Sequence, residues 1–104
     1  VAETDAQALD EFWPGYEERF AAIGRERGWP PPTRAAFEAQ AGVAGAYLMG
    51  SPQTVVEKIK RIKADLGRLD RVTFQMTNAL LPHEKMLNAL RLVGGAVKPA
   101  LAAL

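Results

Sequence analysis

Gly45-Ala-Tyr-Leu-Met-Gly-Ser-Pro-Gln-Thr-Val-Val-Glu-Lys-Ile59, then Arg71-Val-Thr-Phe-Gln-Met-Thr-Asn78 and Leu81-Pro-His-Glu-Lys-Met-Leu87, decide how this chain is read. Their order is that of strand, tight loop, helix, strand, loop and helix. Tyr47-Leu48-Met49 has the apolar character of a short strand core. Val72, Phe74 and Met76 alternate with Thr73, Gln75 and Thr77, the period of a pleated strand. A helix between two strands joins them as a parallel pair, with the right-handed crossover that such units adopt. The expected pair is Ala46–Met49 beside Val72–Met76. Two parallel strands do not make a stable sheet, and parallel sheets are normally covered on both faces. The sequence therefore predicts an α/β piece of something larger. Repeated strand–loop–helix units build a doubly wound sheet or a β/α barrel.

Outward from that region, the helix signals are strong. Ser51 is a favoured cap and Pro52 suits a first turn. Val55, Ile59, Ile62 and Leu66 then form the expected buried stripe, with Lys58, Lys60, Arg61 and Lys63 on the other sides and Gly67 as the stop. Thr4 and Gln7 make a capping-box pattern. Pro14 is expected to kink or restart the helix that follows. Tyr16, Phe20 and Ile23 recur at helical spacing up to Gly28. Trp29-Pro-Pro-Pro32 is a stiff extended connector, and Thr33 can cap a short helix to about Gln40. A last helix starts near Pro82 and carries Met86, Leu90, Val93 and Val97, with Gly94-Gly95 weakening its end and Pro99 helping to close it. Residues 1–44 thus read as a helical segment with a proline-rich connector, and 45–104 as two strand–helix units.

The composition excludes several classes. At 104 residues, 48% apolar and 24% charged, the chain can form one ordinary domain core. A net charge of +1 gives no push toward nucleic acid or membrane. No apolar run approaches a membrane span. The absence of cysteine rules out disulfides and thiolate metal sites and fits a reducing cytoplasm. His83 is the single histidine, so no multi-histidine metal site can form.

Three features could carry chemistry. Gly50-Ser51-Pro52 places a hydroxyl and free N–H groups at a helix N-terminus, a geometry that suits phosphate; Ser51 acting only as a cap explains the same residues. The glycines and lysine of a nucleotide P-loop are missing. His83, beside Glu84, could polarise a carbonyl, hold a phosphate or move a proton, or be a surface histidine in a first helical turn. Trp13, Tyr16, Phe20 and Trp29 read as core anchors or part of a partner interface. The basic run Lys58, Lys60, Arg61, Lys63 and Arg68 reads as a solvated helix face, not a nucleic-acid surface.

The chain resembles the C-terminal portion of a bacterial luciferase-like monooxygenase, a superfamily of flavin-dependent oxygenases and deazaflavin-dependent oxidoreductases. The residues that carry the resemblance are Phe12-Trp-Pro-Gly-Tyr16, Arg25-Glu-Arg-Gly-Trp-Pro-Pro-Pro32, Gly50-Ser-Pro52 with Val56-Glu-Lys-Ile59, Phe74-Gln-Met76 and Leu81-Pro-His-Glu-Lys-Met86. The resemblance implies a C-terminal fragment of a β/α (TIM) barrel containing its seventh and eighth strands. It implies FMN or deazaflavin as cofactor in the full-length parent, a small organic substrate, and a fragment that holds no cofactor and is inactive alone. Position in such a barrel would put Gly50 and Ser51 near the cofactor, Met76, Thr77 and Asn78 on the substrate face, and His83 close by. Two alternatives stand beside it. One is a non-enzymatic, helix-rich module whose exposed sheet edges and aromatic helix mediate self-association; the isolated chain is in any case expected to self-associate, with Phe12, Tyr16, Phe20, Val72, Phe74 and Met76 as candidate contacts. The other is a small phosphate-ligand binder using Ser51. In the first two readings a homo-oligomer is expected.

Overall fold

Each of the first three helices begins at a cap the sequence marks. In a computed structural model, which describes residues 1–42, 45–76 and 80–103, Thr4 Oγ1 accepts the Gln7 N–H at 3.1 Å and opens helix α1, Asp5–Arg27. The Gln7 side chain does not return to the cap as a capping box would. It donates to Glu11 Oε1 at 3.0 Å instead. Gly28, at φ 73°, closes the helix with its N–H on the Gly24 carbonyl, a backbone conformation that favours glycine. Thr33 Oγ1 accepts from Ala36 N–H at 3.2 Å and opens α2, Arg34–Ala41. Ser51 Oγ accepts from Thr54 N–H at 3.3 Å and opens α3, Pro52–Leu66. Helix α4, His83–Leu92, follows Pro82 without a side-chain cap.

Pro14 does not restart the first helix: α1 runs through it as one helix of 23 residues. An interior proline costs about 3 kcal/mol, and packing on both sides of it offsets that cost. Phe12, Trp13, Tyr16 and Phe20 of α1 gather around Phe37 of α2 and Tyr47. The Phe37 ring lies 4.7 Å from Tyr16, 5.3 Å from Trp13 and 6.3 Å from Phe12, centroid to centroid. Arg34 ties the same two helices together, donating to Asp10 at 2.7 Å while pairing with Glu38 at 2.8 Å.

The expected α/β architecture is not found. Among the described residues there is no strand, so the parallel pair, its crossover and the last two units of a barrel are all absent. Residues 45–50 and 67–76 form two segments outside helix and strand, with no ladder between them. The reason is visible at Tyr47, whose backbone is already engaged. Its N–H donates to the Gln40 carbonyl at 3.0 Å, and its carbonyl accepts from Lys58 Nζ at 2.8 Å. The second segment keeps the predicted alternation, with Val72, Phe74 and Met76 half-buried and Thr73 and Gln75 exposed. Alternation fixes which face is buried, not which backbone is the partner.

A second, aliphatic core forms where α3 meets the C-terminal helix. Val55, Val56, Ile59 and Val97 are buried together, with Leu48, Leu69, Val72 and Phe74 against them. The expected stripe on α3 is half right. Val55 and Ile59 are buried, but Ile62 and Leu66 are exposed, Leu66 by 66%. Lys58, expected at the surface, is buried instead.

The last helix does not end at Gly94-Gly95. It widens into a π-helical turn, Val93–Val97, and continues as α5, Lys98–Ala102. The Lys98 N–H bonds to the Val93 carbonyl, five residues back. Pro99 gives a physical cause, because its ring in an unbroken α-helix collides with the carbonyl four residues earlier. Widening the preceding turn relieves that collision, and the turn brings Val97 fully into the core. The radius of gyration, 14.5 Å, exceeds the ~13 Å of a tightly packed chain of this length, in keeping with open clefts on both sides of the 67–76 segment.

Candidate functional site

The first cleft is an apolar crevice of about 220 Å³. Ala8, Glu11 and Phe12 come to it from the start of α1, where the Thr4 cap fixes the helix. Tyr47, Leu48 and Met49 come from the segment 45–50 and Thr73–Met76 from the segment 67–76. Leu81, Met86 and Ala89 close it from α4 and its approach. Glu11, Thr73 and Gln75 supply its polar groups. Such a surface can hold a small, largely apolar molecule and exclude water from one side of it.

The sequence-predicted site residues are not brought together. Met76 lines the crevice. Thr77 and Asn78 lie outside the described residues. His83 is exposed in the first turn of α4 and does not line the crevice. Gly50 and Ser51 sit at the N-terminus of α3 and do not line the crevice. There the place suited to an anion holds one from this chain: Asp5 Oδ1 accepts the Ser51 N–H at 2.8 Å. Gly50 permits that approach. It has φ +145°, and a Cβ on it would stand 2.6 Å from Asp5 Oδ1 and 2.8 Å from Thr54 Cγ2. A phosphate at Ser51 would first have to displace the Asp5 carboxylate.

Asp5 is held below the usual carboxylate range, first by the Ser51 N–H and then by the Thr54 hydroxyl. A carboxyl whose folded value is depressed contributes stability above its unfolded value, about 3.9. That stability is lost as pH falls through the folded value. The thermal midpoint of the wild-type chain is therefore expected to fall more steeply below about pH 4 than that of Asp5→Asn. Parallel acid profiles for the two proteins would show that the carboxylate does not steady α3.

Lys58 is the second group that sequence reasoning missed. Only 6% exposed, it donates from Nζ to the carbonyls of Ala41, the last residue of α2, and Tyr47. Burial pushes its ammonium below the ordinary lysine range, and the charge of Asp5 opposes that shift. Its spacing from Val55 was the available signal, since residues three apart share a helix face. On the other side of Tyr47, burial pushes the Tyr16 phenol up to about 12, with its contact to the Tyr47 hydroxyl adding to the effect. Asp5 carried no signal at all: it meets Ser51 across 46 positions of sequence.

No protein-family model matches the chain, and no curated protein matches it. No helix among the described residues is long and apolar enough to cross a membrane, and none of their acidic and histidine side chains cluster as metal ligands do.

Proposed function

We propose that this chain is part of a flavin-dependent oxidoreductase of the luciferase-like kind and supplies an apolar wall against which a small organic substrate is held. The observation that carries this reading is convergence. Three separate segments of the resemblance meet at one crevice: Phe12 from the first, Phe74, Gln75 and Met76 from the second, and Leu81 and Met86 from the third. The proposal does not include a barrel. Reduced flavin with oxygen, or a deazaflavin, would supply the redox chemistry in the whole enzyme. This chain's residues would orient the substrate and keep water from it. The Asp5 carboxylate over the α3 N-terminus argues that other parts of the enzyme hold the cofactor. A reducing cytoplasm would suit a chain without cysteine.

A second reading, a self-associating helical module, is favoured by one observation. Trp29, Leu66, Leu80 and Leu90 are large apolar residues left exposed. One experiment separates the two. The whole open reading frame containing this sequence is expressed and titrated with FMN and with a deazaflavin, following flavin fluorescence. Saturable binding of either, with Met76→Glu weakening turnover of an apolar substrate but not flavin binding, is the expected result. No binding of either flavin, with a sedimentation coefficient that rises with concentration, would replace the enzyme reading with self-association.

A further inference from the structure

A second cleft lies across Phe74 from the crevice. It is a groove of about 510 Å³ between α3, residues 69–74 and the C-terminal helix, within the range of small-molecule sites. Its floor is aliphatic and aromatic: Ile59, Leu69, Val72, Phe74, Val93 and Leu101. Its charged residues are Lys63, Asp70, Arg71 and Lys98. Asp70 is engaged by Arg68 at 2.8 Å. Lys63, Arg71 and Lys98 have no ion-pair partner among the described residues. The groove thus sets three cations and one carboxylate, already engaged by Arg68, around an apolar floor.

Lys98 reaches this rim because of the π-helical turn. In a regular α-helix, residues five apart point about 140° away from each other. Here the Lys98 N–H to Val93 carbonyl bond stacks the two positions, and both line the groove. π-Helical turns are rare and occur often at functional sites.

We propose that this groove binds a single-chain amphiphilic anion, with an alkyl chain on the floor and a carboxylate or phosphate head among Lys63, Arg71 and Lys98. The inference does not rest on the oxidoreductase reading and uses a different cleft. Segregation of charge selects the ligand class. An inorganic anion would leave the apolar floor uncovered. A neutral hydrocarbon would make no use of the three cations at the rim. A nucleobase would find Phe74 as its one aromatic platform, where nucleic-acid readers use several.

The test is an amide-resolved NMR titration of the full chain with sodium decanoate and with decyl phosphate, both below their micelle-forming concentrations. Saturable shifts are expected at Leu69–Phe74 and Val93–Ala102 for at least one of them, and the tighter of the two identifies the head group. Decyltrimethylammonium and decan-1-ol should bind at least tenfold more weakly. The combined variant Lys63→Gln, Arg71→Gln, Lys98→Gln should lose tenfold or more in anion affinity. Equal binding of the alcohol and the anions, shifts confined to Tyr47–Met49, or no saturation by either anion would overturn the proposal. The comparison of head-group charges on the wild-type chain decides the matter even if the combined variant does not fold.

Discussion

Phe37→Ala is expected to cost about 4 kcal/mol of folding stability, inside the range of ~3–5 kcal/mol for truncating a buried phenylalanine. The ring is 0% exposed and packs against Phe12, Trp13 and Tyr16 of α1 together. Aromatic pairs contribute about 0.5–1.5 kcal/mol beyond the area they bury, so the loss exceeds simple transfer of one side chain. The consequence spreads because α2 has eight residues, too few to persist as a helix without tertiary support. Loss of the anchor frees α2, and with it the Gln40 carbonyl that holds Tyr47. Urea denaturation should show the loss, and near-ultraviolet circular dichroism should lose the Trp13 and Tyr16 signal in the same variant. Phe37→Leu, which keeps most of the volume, should cost under about 1.5 kcal/mol. If both variants stayed within about 1 kcal/mol of wild type, the aromatic cluster would not be what joins these helices.

The helices were legible because their signals are local. Thr4, Thr33 and Ser51 each cap a helix three residues from the amide they accept, and Gly28 and Gly67 adopt positive φ where the helices stop. The missing sheet was not legible, because strand pairing depends on partners distant in sequence. The Val72–Met76 segment has the burial pattern of a strand, yet no backbone among the described residues pairs with it in a ladder. Apolar periodicity also overran its partner on α3: Ile62 and Leu66 continue the stripe beyond the point where the aliphatic core ends. The candidate site divides the same way. Met76 lines the crevice, as its apolar place in the alternation allows. Ser51 caps its helix as expected, but Asp5 brings an anion to it that no local pattern announces.

Lys58→Met is expected to destabilise the chain by about 3 kcal/mol, through one buried carbonyl, that of Ala41, and one half-buried carbonyl, that of Tyr47, left without a donor. An unsatisfied buried polar group costs about 1–3 kcal/mol, and both the Ala41 and the Tyr47 carbonyls lose the same ammonium. The Ala41 carbonyl has a further reason to need it. The last carbonyls of a helix lack partners within the helix, and a cation there also answers the negative end of the helix dipole. Methionine keeps the length and apolar stem of lysine, so the change isolates the ammonium from the packing. An opposing effect has to be weighed. Desolvation of Lys58 is itself unfavourable, and replacing a buried charge by an apolar residue is sometimes neutral. That exchange is neutral when the partner groups are replaced as well; here both carbonyls belong to the backbone and remain. At roughly 4–8 °C per kcal/mol for a domain of this size, the thermal midpoint should fall by about 12–24 °C. Amide exchange should localise the damage, with the Tyr47 N–H losing protection first because its bond to Gln40 depends on the loop that Lys58 pins. A Lys58→Met protein with an unchanged midpoint and an equally protected Tyr47 amide would show that the lysine is merely tolerated in the core, and that packing alone holds Tyr47–Met49 against α3.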